Sequence, residues 1–215
     1  MVEFIIEAKE AGYQVDSGLL AILLRSLEQA LRSDYGHFID GEAWQERAWA
    51  LSALATAGKY DRGYADELAQ KARLMNLDDA TQVLIAMARS GQTDTPVAQE
   101  LAQRVRAGLQ FRLYQGREQY AGLQKQDRSY NALILPSETR SLAEVTRALY
   151  RVAPSQPRLP LLVDALLTLG RDDGWGSTQA NASALLALTE VIKSKTDDTL
   201  AVQVTLDGKE QSLKL

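Results

Sequence analysis

Residues 172–188 read Asp172-Asp173-Gly174-Trp175-Gly176-Ser177-Thr178-Gln179-Ala180-Asn181-Ala182-Ser183-Ala184-Leu185-Leu186-Ala187-Leu188. This is a charged, glycine-rich turn carrying one tryptophan and running straight into a helix. The helical pattern is apolar nearly all round. Ala180, Ala184, Leu185, Leu188 and Ile192 form one stripe, and Ala182, Leu186 and Ala187 fill much of the rest. A helix without a clear polar face is expected inside a protein, packed by other helices on several sides. The Gly174-Trp175-Gly176 turn suits a backbone that needs positive φ, with one large ring sealing the end of the core.

Upstream, helix follows helix. The chain opens on a helical pattern over 2–12. Asp16 or Ser17 caps a second helix over 16–33, with Leu20, Leu23, Leu24, Leu27 and Leu31 as its buried stripe. After a turn at 35–40, a third helix runs over 42–57 and stops at Gly58. Asp61 opens a fourth, with Ala65, Leu68 and Ala72 inward. Asn76 caps a fifth, with Leu77, Ala80, Leu84 and Met87 inward and Gly91 after its end. Thr95-Pro96 starts a sixth, Pro96 sitting where its missing N–H costs nothing, with Leu101, Val105 and Leu109 as its stripe. The period breaks over 114–136, where Tyr114, Tyr120, Tyr130 and the run Ala132-Leu133-Ile134-Leu135 predict a short β-hairpin or ordered loop among the helices. Ser137 caps a seventh helix, with Leu142, Val145, Leu149 and Val152 inward. Pro154, Pro157 and Pro160 punctuate the link to an eighth ending near Gly170, and the ninth is the quoted stretch. Last, Leu200-Ala201-Val202-Gln203-Val204-Thr205-Leu206 alternates strictly, Asp207-Gly208 makes a hairpin turn, and Leu213 and Leu215 resume the alternation. The expected division is therefore a helical region over 1–195 and the start of a β domain over 196–215, in a chain read as an excised piece of a longer protein.

The quoted helix has an earlier echo. Gln45-Glu46-Arg47-Ala48-Trp49-Ala50-Leu51-Ser52-Ala53-Leu54 aligns without gaps on 179–188, and each copy follows a glycine-containing turn with a nearby tryptophan, Trp44 or Trp175. Helical hairpins that alternate buried inner and amphipathic outer helices build either a closed α/α toroid or an open solenoid, and periodicity alone leaves both open.

Composition bounds the function. The 215 residues hold 24 basic and 28 acidic side chains, for a net charge of −4. No concentrated basic face suggests nucleic-acid binding. No apolar run reaches the roughly 18 residues of a membrane span. The chain has no cysteine, which excludes disulfides, thiolate metal sites and thiol nucleophiles. One histidine, His37, makes a histidine metal cluster or a Ser-His-Asp triad unexpected. No catalytic, metal or cofactor residue is assigned.

Trp175-Gly176-Ser177-Thr178-Gln179-Ala180-Asn181-Ala182, followed by an Ala/Leu helix and then β structure, resembles the end of the thioester domain of bacterial α2-macroglobulin-like proteins. The helix over 42–57 resembles an earlier inner helix of the same domain. The specific motifs lie in 172–192 and 44–54, and the likeness in layout extends over 1–195. The resemblance implies an all-α fold, an incomplete α/α toroid with a short C-terminal β-hairpin. It implies a fragment of a periplasmic, envelope-associated protease inhibitor whose shape changes on cleavage by the protease it traps. The partners implied are proteases, through the parent protein, and neighbouring β domains, against which the helical part docks and then moves. The family's thioester joins the cysteine and glutamine of a Gly-Cys-Leu-Glu-Gln motif. Here Ser26-Leu27-Glu28-Gln29 differs from the core of that motif at its first residue, and Arg25 stands in place of the glycine. Leu27 fits the stripe of the helix over 16–33, so the segment reads as plain helix.

Other chemistry reads weakly. Asp172-Asp173 are expected as solvated turn residues. Asp40, Glu42, Glu46 and Glu138 could serve a toroid glycosidase, which needs paired carboxylates in a cleft, yet acids at helix starts are common. A toroid cyclase needs an aromatic-lined cavity and an Asp-rich motif. His37 reads as a turn or interface residue. Thr139, Arg140 and Ser141 start the seventh helix, with Arg140 expected as a surface cation, the alternative being a pair with an acid at the mouth of the ring. An enzyme should show an acid-lined central cavity, whereas an inhibitor fragment should show a centre filled by Ala and Leu; a pure interaction scaffold with no protease link is the third reading.

Overall fold

The computed structural model describes residues 2–10, 12–32, 42–124, 137–171, 174–195, 201–206 and 209–214. Four expectations lie outside them: the turn at 35–40 with Asp40 and His37, the run 132–135 with Tyr130, the acidic pair Asp172-Asp173, and the Asp207-Gly208 turn.

Local chemistry sets the helix starts. An Asx or hydroxyl side chain accepts a backbone N–H one turn ahead at each of four caps: Asp61 from Tyr64 at 3.1 Å, Asn76 from Asp79 at 2.8 Å, Thr95 from Ala98 at 3.2 Å and Ser137 from Arg140 at 3.2 Å. Each satisfies a donor that the first turn leaves open. Among the described residues the helices are α1 (Val2–Glu10), α2 (Ser17–Arg32), α3 (Glu42–Thr56), α4 (Arg62–Gln70), α5 (Leu77–Arg89), α6 (Pro96–Ala107), α7 (Glu138–Val152), α8 (Leu159–Leu169) and α9 (Thr178–Lys195). Two antiparallel hairpins complete the described part, β1 (Leu109–Tyr114) with β2 (Arg117–Leu123) and β3 (Ala201–Leu206) with β4 (Lys209–Lys214). The fold is mostly α with short β-hairpins.

The helices alternate between two rows. α3 packs on α5, α5 on α7 and α7 on α9, while α4, α6 and α8 lie behind them and α2 covers α3. Leu51, Leu54, Val83, Leu84, Met87, Leu142 and Leu149 of the inner row are fully buried, with Leu68, Val105, Leu162 and Leu166 of the outer row. Alanines at the contacts, Ala48, Ala80, Ala86, Ala143, Ala148 and Ala184, bring the helix axes close. The first helix also meets the inner row, where Glu3 of α1 reaches Arg147 of α7 at 2.7 Å.

Three expectations are corrected. Leu109 keeps the four-residue step of Leu101 and Val105, but α6 ends at Ala107 with Gly108 as its C-cap, and Leu109 begins a strand. The hairpin therefore starts five residues earlier than Tyr114. Its turn is Gln115-Gly116, with φ of 49° and 77°, the double positive φ of a tight two-residue hairpin. Arg140 is no surface cation. It is 7% exposed and holds Asp78 of α5 at 3.2 Å. The helix after Trp175 is not enclosed either. Ala180, Ala184, Ala187 and Val191 are buried against α7, but Leu185 is 56% exposed and Ile192 60%. Its aligned counterpart Leu51 on α3 is fully buried. The two copies share sequence but not surroundings, since α3 lies between α2 and α5 whereas α9 packs on α7 alone among the helix pairs that make extended contact.

Candidate functional site

The turn before α9 is built around Asn181 and Trp175. The indole N–H of Trp175 donates to the carbonyl of Leu166 at 2.7 Å, and the Trp175 backbone N–H donates to Asn181 Oδ1 at 2.6 Å. Gly174, at φ +100°, brings its backbone against the Asn181 amide, and a Cβ there would sit 2.9 Å from Asn181 Oδ1. The ring thus closes the end of α8, as expected of a sealing tryptophan. Arg171 and Gly174 exchange two backbone hydrogen bonds of 2.9 Å on either side of Asp172-Asp173. No catalytic arrangement gathers around this turn among the described residues.

The charged chemistry joins α1 to the inner row, toward the C-terminal ends of α5 and α7. α7 carries Glu144, Arg147 and Arg151 on one side. Arg147 is 2% exposed. It donates from Nε and Nη2 to Glu190 Oε1 of α9 at 3.0 and 2.9 Å, from Nη2 to Glu3 Oε1 of α1 at 2.7 Å, and from Nη1 to Glu144 Oε2 at 3.3 Å. Arg151 grips both oxygens of Glu190, Nε to Oε2 at 2.9 Å and Nη2 to Oε1 at 2.7 Å. Arg89 of α5 donates to Glu3 Oε1 at 2.5 Å. Glu144 also accepts from Ser183 of α9 at 2.9 Å and from Gln82 of α5 at 3.4 Å. Four helices thus meet in one network.

Burial and pairing oppose each other in it. Burial pushes the Glu144 carboxyl up, against the pull of the Arg147 guanidinium. Burial also disfavours the Arg147 charge, but Glu144, Glu3 and Glu190 outweigh it and hold the guanidinium more firmly charged than usual. Burial raises Glu190 less than Arg151 and Arg147 lower it, so it stays below the ordinary carboxylate range. Arg89 moves down through burial, against the attraction of Glu3. A paired ionic network therefore stands beside the buried Ala and Leu of the inner row. It is not an acid-lined cavity. Glu3, Glu144 and Glu190 are each bound by arginine, which leaves no proton donor and base facing open space. Among the described residues no three His, Asp or Glu side chains form a metal-binding group. Two surface hollows, of about 680 and 180 Å³, lie elsewhere: the first against Lys9, Leu20, Leu24 and Arg25, the second against Leu31, Arg32, Leu54 and Tyr64.

The remaining sequence candidates do not converge. Glu42 opens α3, and Glu46 is exposed on it. Glu138 accepts from the Tyr120 hydroxyl at 2.9 Å, and burial together with this bond keeps that phenol protonated beyond its usual range. Ser26 lies mid-helix in α2 and its hydroxyl donates to the Ile22 carbonyl at 3.1 Å, while Glu28 pairs with Lys59 at 2.6 Å. The 26–29 segment is regular helix. A second buried acid carries no signal in the sequence. Asp79 of α5 is 1% exposed, its Oδ1 has no hydrogen-bond partner, and it faces the Trp49 indole of α3.

The fold is shared with Salmonella α2-macroglobulin reacted with methylamine, at 20% identity and a TM-score of 0.64, over 99% of this chain and 13% of that one. It is shared with Escherichia coli α2-macroglobulin in its native conformation at 17% identity and a TM-score of 0.62, over 99% and 13%. The E. coli protein activated by porcine elastase matches at 16% identity and a TM-score of 0.64, over 99% and 18%. The chain spans less than a fifth of the length of these structures. No family model matches the sequence, and no curated protein matches it.

Proposed function

We propose that these residues form the helical part of a bacterial α2-macroglobulin-type protease inhibitor and carry no catalysis of their own. The supporting observation is the likeness of fold over 99% of the chain to segments of such proteins, including one activated by elastase. In this reading residues 1–195 are an incomplete α/α toroid of the thioester-domain type and 196–215 begin the next β domain. Proteases are the partners of the whole protein, in the periplasm at the cell envelope. The cysteine-free 215 residues contribute no thioester, and Ser26 does not replace one, because its hydroxyl is engaged within a helix. The exposed Leu185 and Ile192 of α9 belong to a face that neighbouring domains cover until cleavage of the parent rearranges them.

Elastase treatment tests this. The reading frame extended on both sides of these residues is expressed and exposed to elastase. The protein should be cleaved in one region, migrate differently on a native gel, and leave bound elastase active on a small peptide but not on a large protein substrate. Undiminished elastase activity on the large substrate, with unchanged mobility, sinks the proposal.

A further inference from the structure

The ionic network is built from unequal parts. Five of its six charged members, Arg89, Glu144, Arg147, Arg151 and Glu190, stand on α5, α7 and α9, which pack on one another along the inner row. The sixth, Glu3, comes from α1. That helix buries Val2 and Ile5 but leaves Phe4 74% exposed, and it joins α2 through a turn at Gly12 with φ +88°. Glu3 is also the most solvent-exposed member, its side chain one-third accessible. Its Oε1 accepts from two arginines at once. The Nε of Arg89 is buried with no hydrogen-bond partner, so this guanidinium has a donor left for a second carboxylate oxygen. Among the described residues, with Glu3 in place, three carboxylates balance three guanidinium groups. Without it, one buried positive charge stands in excess, which is strongly unfavourable unless another anion replaces it.

We propose that Arg89 and Arg147 form a carboxylate-binding site that Glu3 fills from within the chain, and that α1 is an exchangeable strap. When α1 lifts, the pair accepts a carboxylate from elsewhere. Guanidinium groups converging on one oxygen suit this ligand, with Arg147 held rigidly by Glu144 and Glu190. Local opening of a short, lightly buried helix is the kind of motion that native chains sample. The proposal stands on this geometry and not on the inhibitor reading.

Glu3→Ala tests it in the 215-residue chain, with thermal unfolding followed in sodium acetate and in sodium chloride at equal ionic strength. At ten times its dissociation constant, acetate should raise the folded-to-unfolded ratio of the variant about tenfold over chloride, while the parent chain responds alike to both salts. Arg89→Met in the same background should abolish the acetate effect. If Glu3→Ala is unfolded in chloride, refolding on addition of acetate is the expected result. A capped peptide of residues Val2–Ile6 serves as a second probe. Rescue at lower concentration than acetate assigns the natural occupant to a polypeptide segment, and rescue at equal concentration to a small acid. Equal response of the variant to both salts with no rescue by the peptide, or an acetate effect that survives Arg89→Met, overturns the site. Hydrogen exchange on the parent chain tests the strap separately: α1 amides should exchange much faster than those of α7, and equal protection refutes it.

Discussion

Replacing Asp79 by Asn should invert the usual sense of a buried polar mutation. The carboxyl is buried at the start of α5, where its own backbone N–H is taken by Asn76. Its Oδ1 is unpaired. Burial, with the neighbouring Asp78 charge, pushes it from the ordinary 3.8 up to about 7, against the pull of the Trp49 indole. The Arg140 guanidinium on α7 is committed to Asp78 at 3.2 Å, and that of Arg104 on α6 to the Met75 carbonyl at 3.2 Å. A raised acid holds its proton more tightly in the folded chain than in the unfolded one. The stability tied to that proton is fully present below pH 4 and is lost as the pH rises through 7, with at most a tenfold change in the folding constant per pH unit. At about 1.36 kcal/mol per unit, full ionisation costs about 4 kcal/mol, of which about 2.5 kcal/mol falls between pH 5 and pH 8. Asn keeps the shape and cannot ionise. Urea unfolding at pH 5, 6, 7 and 8 should show the midpoint of Asp79→Asn gaining on the parent by about 1 M across that range, for a slope of 2–3 kcal/mol per M. A midpoint difference that stays constant from pH 5 to pH 8 refutes the argument.

Other outcomes follow from the same geometry. Arg147→Met leaves Glu144 and Glu190 buried without their shared partner and should cost about 3–5 kcal/mol, whereas Arg151→Met, on a side chain 29% exposed, should cost about 1 kcal/mol; chemical denaturation of the two variants gives the order, and equal losses would contradict the central role of Arg147. Gly174→Ala should cost about 2–3 kcal/mol, since φ is +100° and the new Cβ would press on Asn181 at 2.9 Å. Gly176→Ala, at φ +87° with open space around it, should cost about 1 kcal/mol, and the reverse order in thermal melts would contradict the packed turn.

Much of the helical layout is legible because it is local. Asp61, Asn76, Thr95 and Ser137 announce helix starts by side-chain chemistry that acts within one turn. Gly58 and Gly91 announce stops, each at positive φ. Leu109 misleads because a four-residue step also fits the first residue of a strand, and only Gly108 hints that α6 has already ended. The overlap is harmless to packing, since Leu109 is buried either way.

The ionic network is not legible, and α7 shows why. Its sequence divides cleanly into Leu142, Val145 and Leu149 on one side and Arg140, Glu144, Arg147 and Arg151 on the other. An amphipathic helix is read with its charged side toward water. Here every residue from Thr139 to Leu149 is buried, because Glu3, Asp78, Gln82, Arg89, Ser183 and Glu190 arrive from three other helices to meet the charged side. Those positions lie up to 144 residues away in the chain, so no window along the sequence contains both partners. The signal available is spacing. Glu144, Arg147 and Arg151 follow one another at helical steps along one face of α7, and Ser183 and Glu190 stand two turns apart on one face of α9. Charged residues at core-like spacing on two helices that both carry an apolar stripe can satisfy burial only by facing one another. Applied to the copies at 45–54 and 179–188, the same reasoning explains Leu185. Leu51 and Leu185 are the same residue at the same aligned position, and the supply of a second neighbour, present for α3 and lacking for α9 among the described helices, decides which is covered.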